Sequence, residues 1–371
     1  MKIAYISSAR IPDEWAHVFH IMHMCESFAH MGHKVKLVIP YRNKMSTIDP
    51  FIHASVKPNF TIVRLPCLDF FAGTTSVWWF YVRTISFFLS AKIYLMFASY
   101  DILYTREFLA PYFFKNFFFE AHTAKISNQV LKRARGVVTV TSFIKDVLKW
   151  RGYEGEHILV EPDAVDLHQF INDSPKEILR RELKLPNGLL IGYVGTLKTM
   201  DKEKGLKTMM DVLKLIPQVS LVIVGGEKHH VEEYRKIAED AGLLPRIMLT
   251  GTVSHTLVSK YLHAFDVVVA PFPDIEHYRF YMSPLKIFEY MASGTPMVVS
   301  DLPSLREVLT EQTTCFVPPE NVKAFGLAIQ NLIEHPDQAH ALGQRAKKAV
   351  IYHTWDKRAE RITRFIQNIS R

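Results

Sequence analysis

The chain has 371 residues, of which 48% are hydrophobic and 22% charged, and a formal charge of +8. That length fits two domains, and that composition excludes a disordered or collagen-like chain. The three cysteines, Cys25, Cys67 and Cys315, include no C-x-x-C pair, so they read as reduced thiols and give neither a disulfide framework nor a structural zinc site.

The first element is the strand KIAYIS (2–7), whose apolar run is cut short at Arg10, too early for a secretion signal. The strands KVKLVIP (34–40), DILYT (101–105), FFFEAH (117–122) and GVVTVT (136–141) follow, separated by amphipathic stretches at 16–32, 77–98 and 142–151. Such alternation predicts parallel β-α-β units with helices on both faces of a sheet. Residues 70–97 are rich in aromatics but interrupted by Arg83 and Lys92, and are expected to fall short of a bilayer span. This half of the chain is also the basic one. Residues 1–165 hold six more Lys and Arg than Asp and Glu, residues 166–371 only two more, and 16 of the 25 phenylalanines precede residue 120. A basic, aromatic half suits an anionic, amphiphilic partner such as a membrane surface.

The alternation lapses around EPDAVDLHQF (161–170), where the hinge is expected, and then restarts. LLIGYVGT (189–196), VSLVIVGG (219–226), RIMLTG (246–251), DVVVAPF (266–272), TPMVVS (295–300) and TTCFVPP (313–319) read as strands, with helices at 204–216, 229–242, 254–265, 284–293, 303–310 and 322–334. The expected division is therefore 1–168, 169–353 and a closing helix, 354–371, packing back on the first domain. The fold class is α/β, two doubly wound Rossmann-like domains facing across a cleft. In such sheets ligands bind beyond the C-terminal ends of strands at topological switch points, which puts the site in that cleft.

Four segments offer chemistry. In SPLKIFEYMASGTPMVVSDLPSLREVL (283–309), Ser283 is expected to cap a helix whose first turn begins with Pro284. Free N–H groups and the positive end of the dipole would then face an anion such as a phosphate. Glu289, about a turn and a half further in, can accept hydrogen bonds from a sugar diol, although spacing alone also fits a solvated carboxylate. In GYVGTLKTMDKEKGL (192–206) a strand ending at Gly195 leads into a loop carrying Lys198, Lys202 and Lys204, point charges suited to a diphosphate or simply solvated. In FEAH (119–122) Glu120 and His122 fall on one side of a strand, where the carboxylate can orient a ring that hydrogen-bonds a sugar hydroxyl or serves structure alone. The fourth, SSARIPDEWAHVFHIMHMCESFAHMGHKV (7–35), places His17, His20 and His23 mostly on different faces of a helix, so no metal site is expected. It also lacks G-x-G-x-x-G, H-E-x-x-H and a P-loop, which removes support for dinucleotide, zinc-protease and nucleotide-hydrolysis readings.

In their order along nearly the whole chain, the AHV-type helix, FEAH, VTVTSFIKDVLKWRGY with EPDAVDLHQF, GYVGTL…KG, SPLKIFEYMASGTPMV and the closing TWDKRAERI resemble the retaining glycosyltransferases of family 4, which have the GT-B architecture. The resemblance implies that the first domain binds acceptor and the second a nucleoside diphosphate sugar, UDP- or GDP-linked. By position, Lys198 and Lys204 match the basic pair on the donor diphosphate and Glu289 the glutamate on the ribose. The backbone of Ser283, Pro284 and Leu285 would meet the phosphates, while Val253 and Gly226 would border the base. His122 matches a histidine near the transferred sugar, and Arg10, His17 and Glu120 fall on the acceptor side. Tyr281 stands where the family's first motif glutamate is usual, and Thr196 where many members have arginine. The expected reaction is sugar transfer to the hydroxyl of a glycan or lipid-linked acceptor, with no metal and no cofactor, in the cytoplasm or at the inner membrane face, and without nucleic acid. The competing readings are an epimerase or phosphorylase-like enzyme of the same fold, or a non-catalytic nucleotide-sugar-binding paralogue.

Overall fold

A computed structural model describes residues 1–370 except 14, 43–47, 70–76, 173 and 200–201. The chain divides into two compact units, one formed by Met1–Asp163 with Trp355–Arg371, the other by Ala164–Thr354. The boundary expected at 168 lies at 163. Val165 and Phe170 are buried in the core of the second unit, and the Val165 amide donates to the His353 carbonyl oxygen at 3.0 Å, so this stretch belongs there.

The first unit is built on seven parallel strands: β1 (Lys2–Ile6), β2 (Lys34–Pro40), β3 (Thr61–Leu65), β4 (Ile102–Thr105), β5 (Phe117–Ala121), β6 (Ala134–Thr139) and β7 (Ile158–Val160). Their order is β3-β2-β1-β4-β5-β6-β7, so the sheet reverses its direction of growth between β1 and β4. The central strands are apolar runs buried on both faces, as helices on each side of a parallel sheet require; β5 is buried at all five positions. β3 and β7 are the edges, short and half-exposed.

The first helix, Ala16–His30, is buried continuously from Val18 to Phe28. An amphipathic helix laid on a sheet keeps one face wet. Here the C-terminal helix, Trp355–Ser370, covers that second face, with the Trp355 ring stacked on His23 at 5.5 Å between centroids. The same helix delivers Arg358, fully buried, whose Nη2 lies 2.9 Å from Oε1 of the equally buried Glu120 at the end of β5. Arg358 Nε donates to the Pro162 carbonyl oxygen at 2.8 Å.

The aromatic segment carries Arg83 and Lys92 within a continuous helix. Val77–Phe97 is one unbroken helix of 21 residues, long and apolar enough to cross a membrane by length and composition; residues 70–76 lie outside the described set. Thr84, Phe87, Phe88, Ala91 and Leu95 are buried at helical spacing, and the helix packs on β2 and β3, while most of its other apolar residues stay exposed.

The second unit holds β8 (Leu189–Val194), β11 (Val219–Val224), β12 (Ile247–Gly251), β13 (Val267–Ala270), β14 (Met297–Ser300) and β15 (Cys315–Val317), all parallel, in the order β12-β11-β8-β13-β14-β15. A hairpin of β9 (Lys198–Thr199) and β10 (Lys202–Glu203) stands apart from this sheet, where the sequence suggested a plain loop. The helix expected at 303–310 is only Pro303–Arg306, and Pro336–Ala349 forms a further helix. The two Rossmann-like sheets are the fold class read from the sequence.

A buried ion pair broken on one side leaves an uncompensated charge, at a cost of about 3–5 kcal/mol. Arg358→Met is therefore expected to lower the melting temperature of the first unit in calorimetry, and the double variant Arg358→Met/Glu120→Gln, which leaves no net buried charge, to recover part of the loss.

Candidate functional site

In the second unit the sheet changes direction between β8 and β13, and the residues beyond these two strands are crowded together. Gly205, which begins the helix Leu206–Leu215 with φ +82°, lies so near β13 that a Cβ there would sit 1.6 Å from the Pro271 carbonyl oxygen. Only glycine fits this approach. The hairpin that precedes it thereby brings Lys204 back to the end of β8, where its Nζ donates to Thr196 Oγ1 at 2.6 Å. Burial pushes the Lys204 ammonium down to about 8. Lys198, on β9, is bound by both carboxylate oxygens of Glu233 at 2.8 and 2.7 Å. The two expected phosphate ligands thus differ: Lys198 is matched by a carboxylate, whereas Lys204 is held by a neutral hydroxyl.

The motif helix is Leu285–Ser293. Ser283 is not its cap, contrary to expectation. Pro284 occupies the N-cap with ψ 124° and its own side chain makes no capping hydrogen bond, and helical backbone starts at Leu285. The residue before a proline avoids helical backbone, which keeps Ser283 outside the first turn. Ser283, Pro284 and Leu285 are half-buried, and the first N–H groups of a helix have no partner within it. Glu289 is largely buried, with Oε1 3.2 Å from His255 Nε2. His255 opens the helix His255–Ala264, two residues beyond the half-buried Val253. Thr252 in turn donates to the Gly226 carbonyl oxygen at 3.2 Å. Gly226, Val253 and Glu289 are therefore linked through Thr252 and His255. Tyr281 ends a π-helical turn, His277–Tyr281, and its hydroxyl donates to Glu276 Oε1 at 2.8 Å, so a carboxylate stands beside the tyrosine at the motif position.

In the first unit Glu120 gathers its neighbours at the end of β5. Its Oε2 accepts from the Tyr104 hydroxyl at 2.7 Å, and Oε1 lies 2.7 Å from His20 Nε2 and 2.9 Å from both His122 Nε2 and Arg358 Nη2. Burial opposes its charge, but Arg358 and His20 outweigh that and hold the carboxyl well below the usual range. An ionised carboxylate only accepts hydrogen bonds, so His122 Nε2 carries the proton and Nδ1 is left as an acceptor. Burial, with the charge of Arg106, lowers His122 to about 4, against the opposing pull of Glu120. A ring of this kind receives a hydroxyl hydrogen bond and donates no proton near neutrality. His17 is lowered to about 4 as well, first by burial and then by Arg106, His20 and His122, while Arg10 is exposed on the loop after β1.

His20, Glu120 and His122 bring ligand atoms within 4.8 Å of one another, which the helical spacing of the histidines did not suggest. The set does not fit a cation, because the Arg358 guanidinium occupies the same Glu120 oxygen. His20 is held instead between Glu120 and Asp163, whose Oδ1 lies 2.8 Å from Nδ1. Asp163, Arg358, Arg106, His255, Glu276 and Glu233 were not singled out from the sequence. Each acts through a partner distant in the chain or across an irregular turn, which no local spacing records.

Residues 188–335 match the family described as glycosyl transferases group 1. The chain is 24% identical over 312 residues to the O-antigen chain mannosyltransferase RfbU of Salmonella typhimurium, covering 77% of this chain and 81% of that protein. It is 25% identical over 211 residues to the phosphatidyl-myo-inositol mannosyltransferase of Mycobacterium leprae, covering 51% and 54%. Its structure is similar to a sucrose-phosphate synthase from Thermosynechococcus elongatus, with a TM-score of 0.79 and 21% identity over 99% of this chain and 98% of that one. It is also similar to Anabaena HepE in complex with UDP and glucose, with a TM-score of 0.78 and 14% identity over 99% and 100%. Two Rossmann-like units with these matches define a glycosyltransferase of GT-B fold. The group 1 glycosyl transferase match itself lies within the second unit.

His17 and His122 give the first unit an acid sensitivity. Their folded values lie near 4, while an unfolded histidine titrates near 6.5. As pH falls through this window the unfolded chain takes up protons that the folded one refuses, so stability is lost. The fall in melting temperature between pH 6.5 and 4 should be shallower in a His17→Asn/His122→Asn variant than in the wild type.

Proposed function

We propose that this glycosyltransferase moves a hexose from a nucleoside diphosphate sugar, UDP- or GDP-linked, to a hydroxyl of a glycan or lipid-linked acceptor, with retention at the anomeric carbon. The observation that carries the donor part is Lys204, a lysine brought by a glycine-dependent close approach to the end of β8 with no carboxylate bound to it among the described residues. The motif helix, with Glu289 on its second turn, belongs to the same unit. The structures of HepE with UDP and with UDP-glucose favour a nucleotide of this class.

In this reading the bond from the anomeric carbon to the diphosphate oxygen breaks and charge gathers on the departing phosphate, which ammonium groups and a helix N-terminus stabilise without reorganising. The acceptor oxygen attacks from the same face, and its proton passes to that phosphate. His122, neutral and fixed by Glu120, accepts a hydrogen bond from a sugar hydroxyl and is no nucleophile. The cationic charge comes from side chains, so the reaction needs no cofactor.

The acceptor reading rests on the helix Val77–Phe97. Trp78, Tyr81, Ile85, Leu89, Ile93 and Met96 recur every three or four residues, and all are exposed, so one side of this helix is an apolar stripe facing outward. With the basic first half, this stripe suits the surface of an anionic membrane, and two of the relatives are named as mannosyltransferases of the O-antigen chain and of phosphatidyl-myo-inositol. We place the activity in cell-surface polysaccharide, lipopolysaccharide or glycolipid synthesis at the cytoplasmic face of the membrane.

Incubation with a panel of UDP-, GDP- and ADP-sugars, read as donor hydrolysis, tests the activity. One donor is expected to turn over in the wild type, and Lys204→Ala or Glu289→Ala to remove most of that turnover; undiminished rates in both variants would refute the site. Because the Lys204 ammonium titrates near 8, the affinity for the cognate nucleoside diphosphate should fall as pH rises above 8. In a separate flotation experiment with phosphatidylglycerol vesicles the wild type should rise with the lipid and a Leu89→Ser/Ile93→Ser variant should stay behind. A wild type left in the dense fraction rejects the membrane reading.

A further inference from the structure

Lys286 stands in the first turn of the motif helix, and nothing above uses its side chain. It is 7% exposed, yet among the described residues its ammonium has no hydrogen-bond partner and no ion pair. An isolated charge taken out of water is costly, so such a lysine calls for a compensating contact. The ring of Tyr193 supplies part of it, with its centroid 3.6 Å from Nζ, and the ring of Phe272 lies 5.4 Å away. Tyr193 is on β8 and Phe272 follows β13, so the ammonium lies at the switch point itself.

Its neighbour there is Gly195. A Cβ built on that residue would lie 3.1 Å from both Cε and Nζ of Lys286. The next residue is Thr196, whose hydroxyl accepts from Lys204. Two ammonium groups thus converge on residues 195 and 196, one from the hairpin and one from the first turn of the motif helix, above two aromatic rings. The charged groups acting on Lys286 are Lys204, which repels its proton, and Glu289 on its own helix, which favours it; burial is the largest influence and drives the ammonium well below the usual lysine range.

We propose that Lys286 is a phosphate-binding residue of the donor site, its ammonium and that of Lys204 together holding the diphosphate that supplies their missing counter-charge. This rests on the nucleoside diphosphate reading above. It follows that the free protein holds the two lysines short of full protonation, and that an entering diphosphate draws protons back onto them. Donor binding is then coupled to proton uptake.

The test is titration calorimetry at pH 8 with UDP, GDP, ADP and dTDP, each in two buffers of different ionisation enthalpy, on the wild type and on Lys286→Met. The wild type is expected to bind one of the four with net proton uptake. The variant should bind it roughly ten- to a hundredfold more weakly and with less uptake. Methionine fills the aromatic niche without a charge, so the ligand-free variant should melt at the same temperature as the wild type or higher. Equal affinity and equal uptake in the two proteins would overturn the role of Lys286 and leave the donor reading standing. Weaker binding with unchanged uptake and a lower melting temperature would mark the residue as structural and overturn it too. A wild type that binds none of the four diphosphates removes the donor reading, and the assignment of Lys286 with it.

Discussion

The first unit is organised around one buried carboxylate. Glu120 is removed from water at the end of β5 and stays ionised because Arg358, from a helix more than 200 residues later, brings the opposing charge to the same place. Everything around it follows from the need to satisfy that charge. Tyr104 donates to one oxygen, His20 and His122 approach the other, and Asp163 takes the far nitrogen of His20. Because the carboxylate can only accept, it fixes the proton of His122 on Nε2 and leaves Nδ1 open to a hydroxyl. A catalytic-looking histidine is thereby made into a neutral hydrogen-bonding surface.

The second unit solves the opposite problem. Its switch point gathers two ammonium groups that bind no carboxylate among the described residues. Gly205 allows the hairpin to fold against β13, and this approach brings Lys204 to Thr196, while Lys286 reaches the same point over the Tyr193 ring. Lys198, one strand away, meets Glu233 and is neutralised there. The difference between these lysines lies in their partners and not in their spacing. Two buried ammonium groups without a carboxylate are tolerated where aromatic contacts, a neutral hydroxyl and lowered proton affinity share the cost of desolvation, and all three are present.

Much of the fold is legible in the sequence because buried parallel strands are written as unbroken apolar runs; every such run became a strand. The edges β3 and β7 escaped because each is half-exposed, so hydrophobicity does not mark them. The helix Pro336–Ala349 escaped for a related reason, since alanine and charged residues dominate it and no strand follows. Among the candidate residues, the motif around Glu289 in the second unit and the FEAH pair in the first were each visible as local patterns. Arg358 was not, because its partner is 238 residues away, and neither was the distinction between Lys198 and Lys204, which depends on which one meets a carboxylate. The setting of Lys286 was not legible either: a sequence shows a lysine but not that, among the described residues, its buried ammonium has no hydrogen-bond partner.

The return of the C-terminal helix to the first unit sets an order of events during synthesis. A domain at the front of a chain commonly folds first as it leaves the ribosome. Here the sheet of the first unit is made early, but the segment that covers its first helix and neutralises Glu120 is made only after the whole of Ala164–Thr354. Until then the outer face of the helix Ala16–His30 is bare and the carboxylate lacks its arginine. The second unit, continuous in the chain, is free to finish first, and the first unit waits for it.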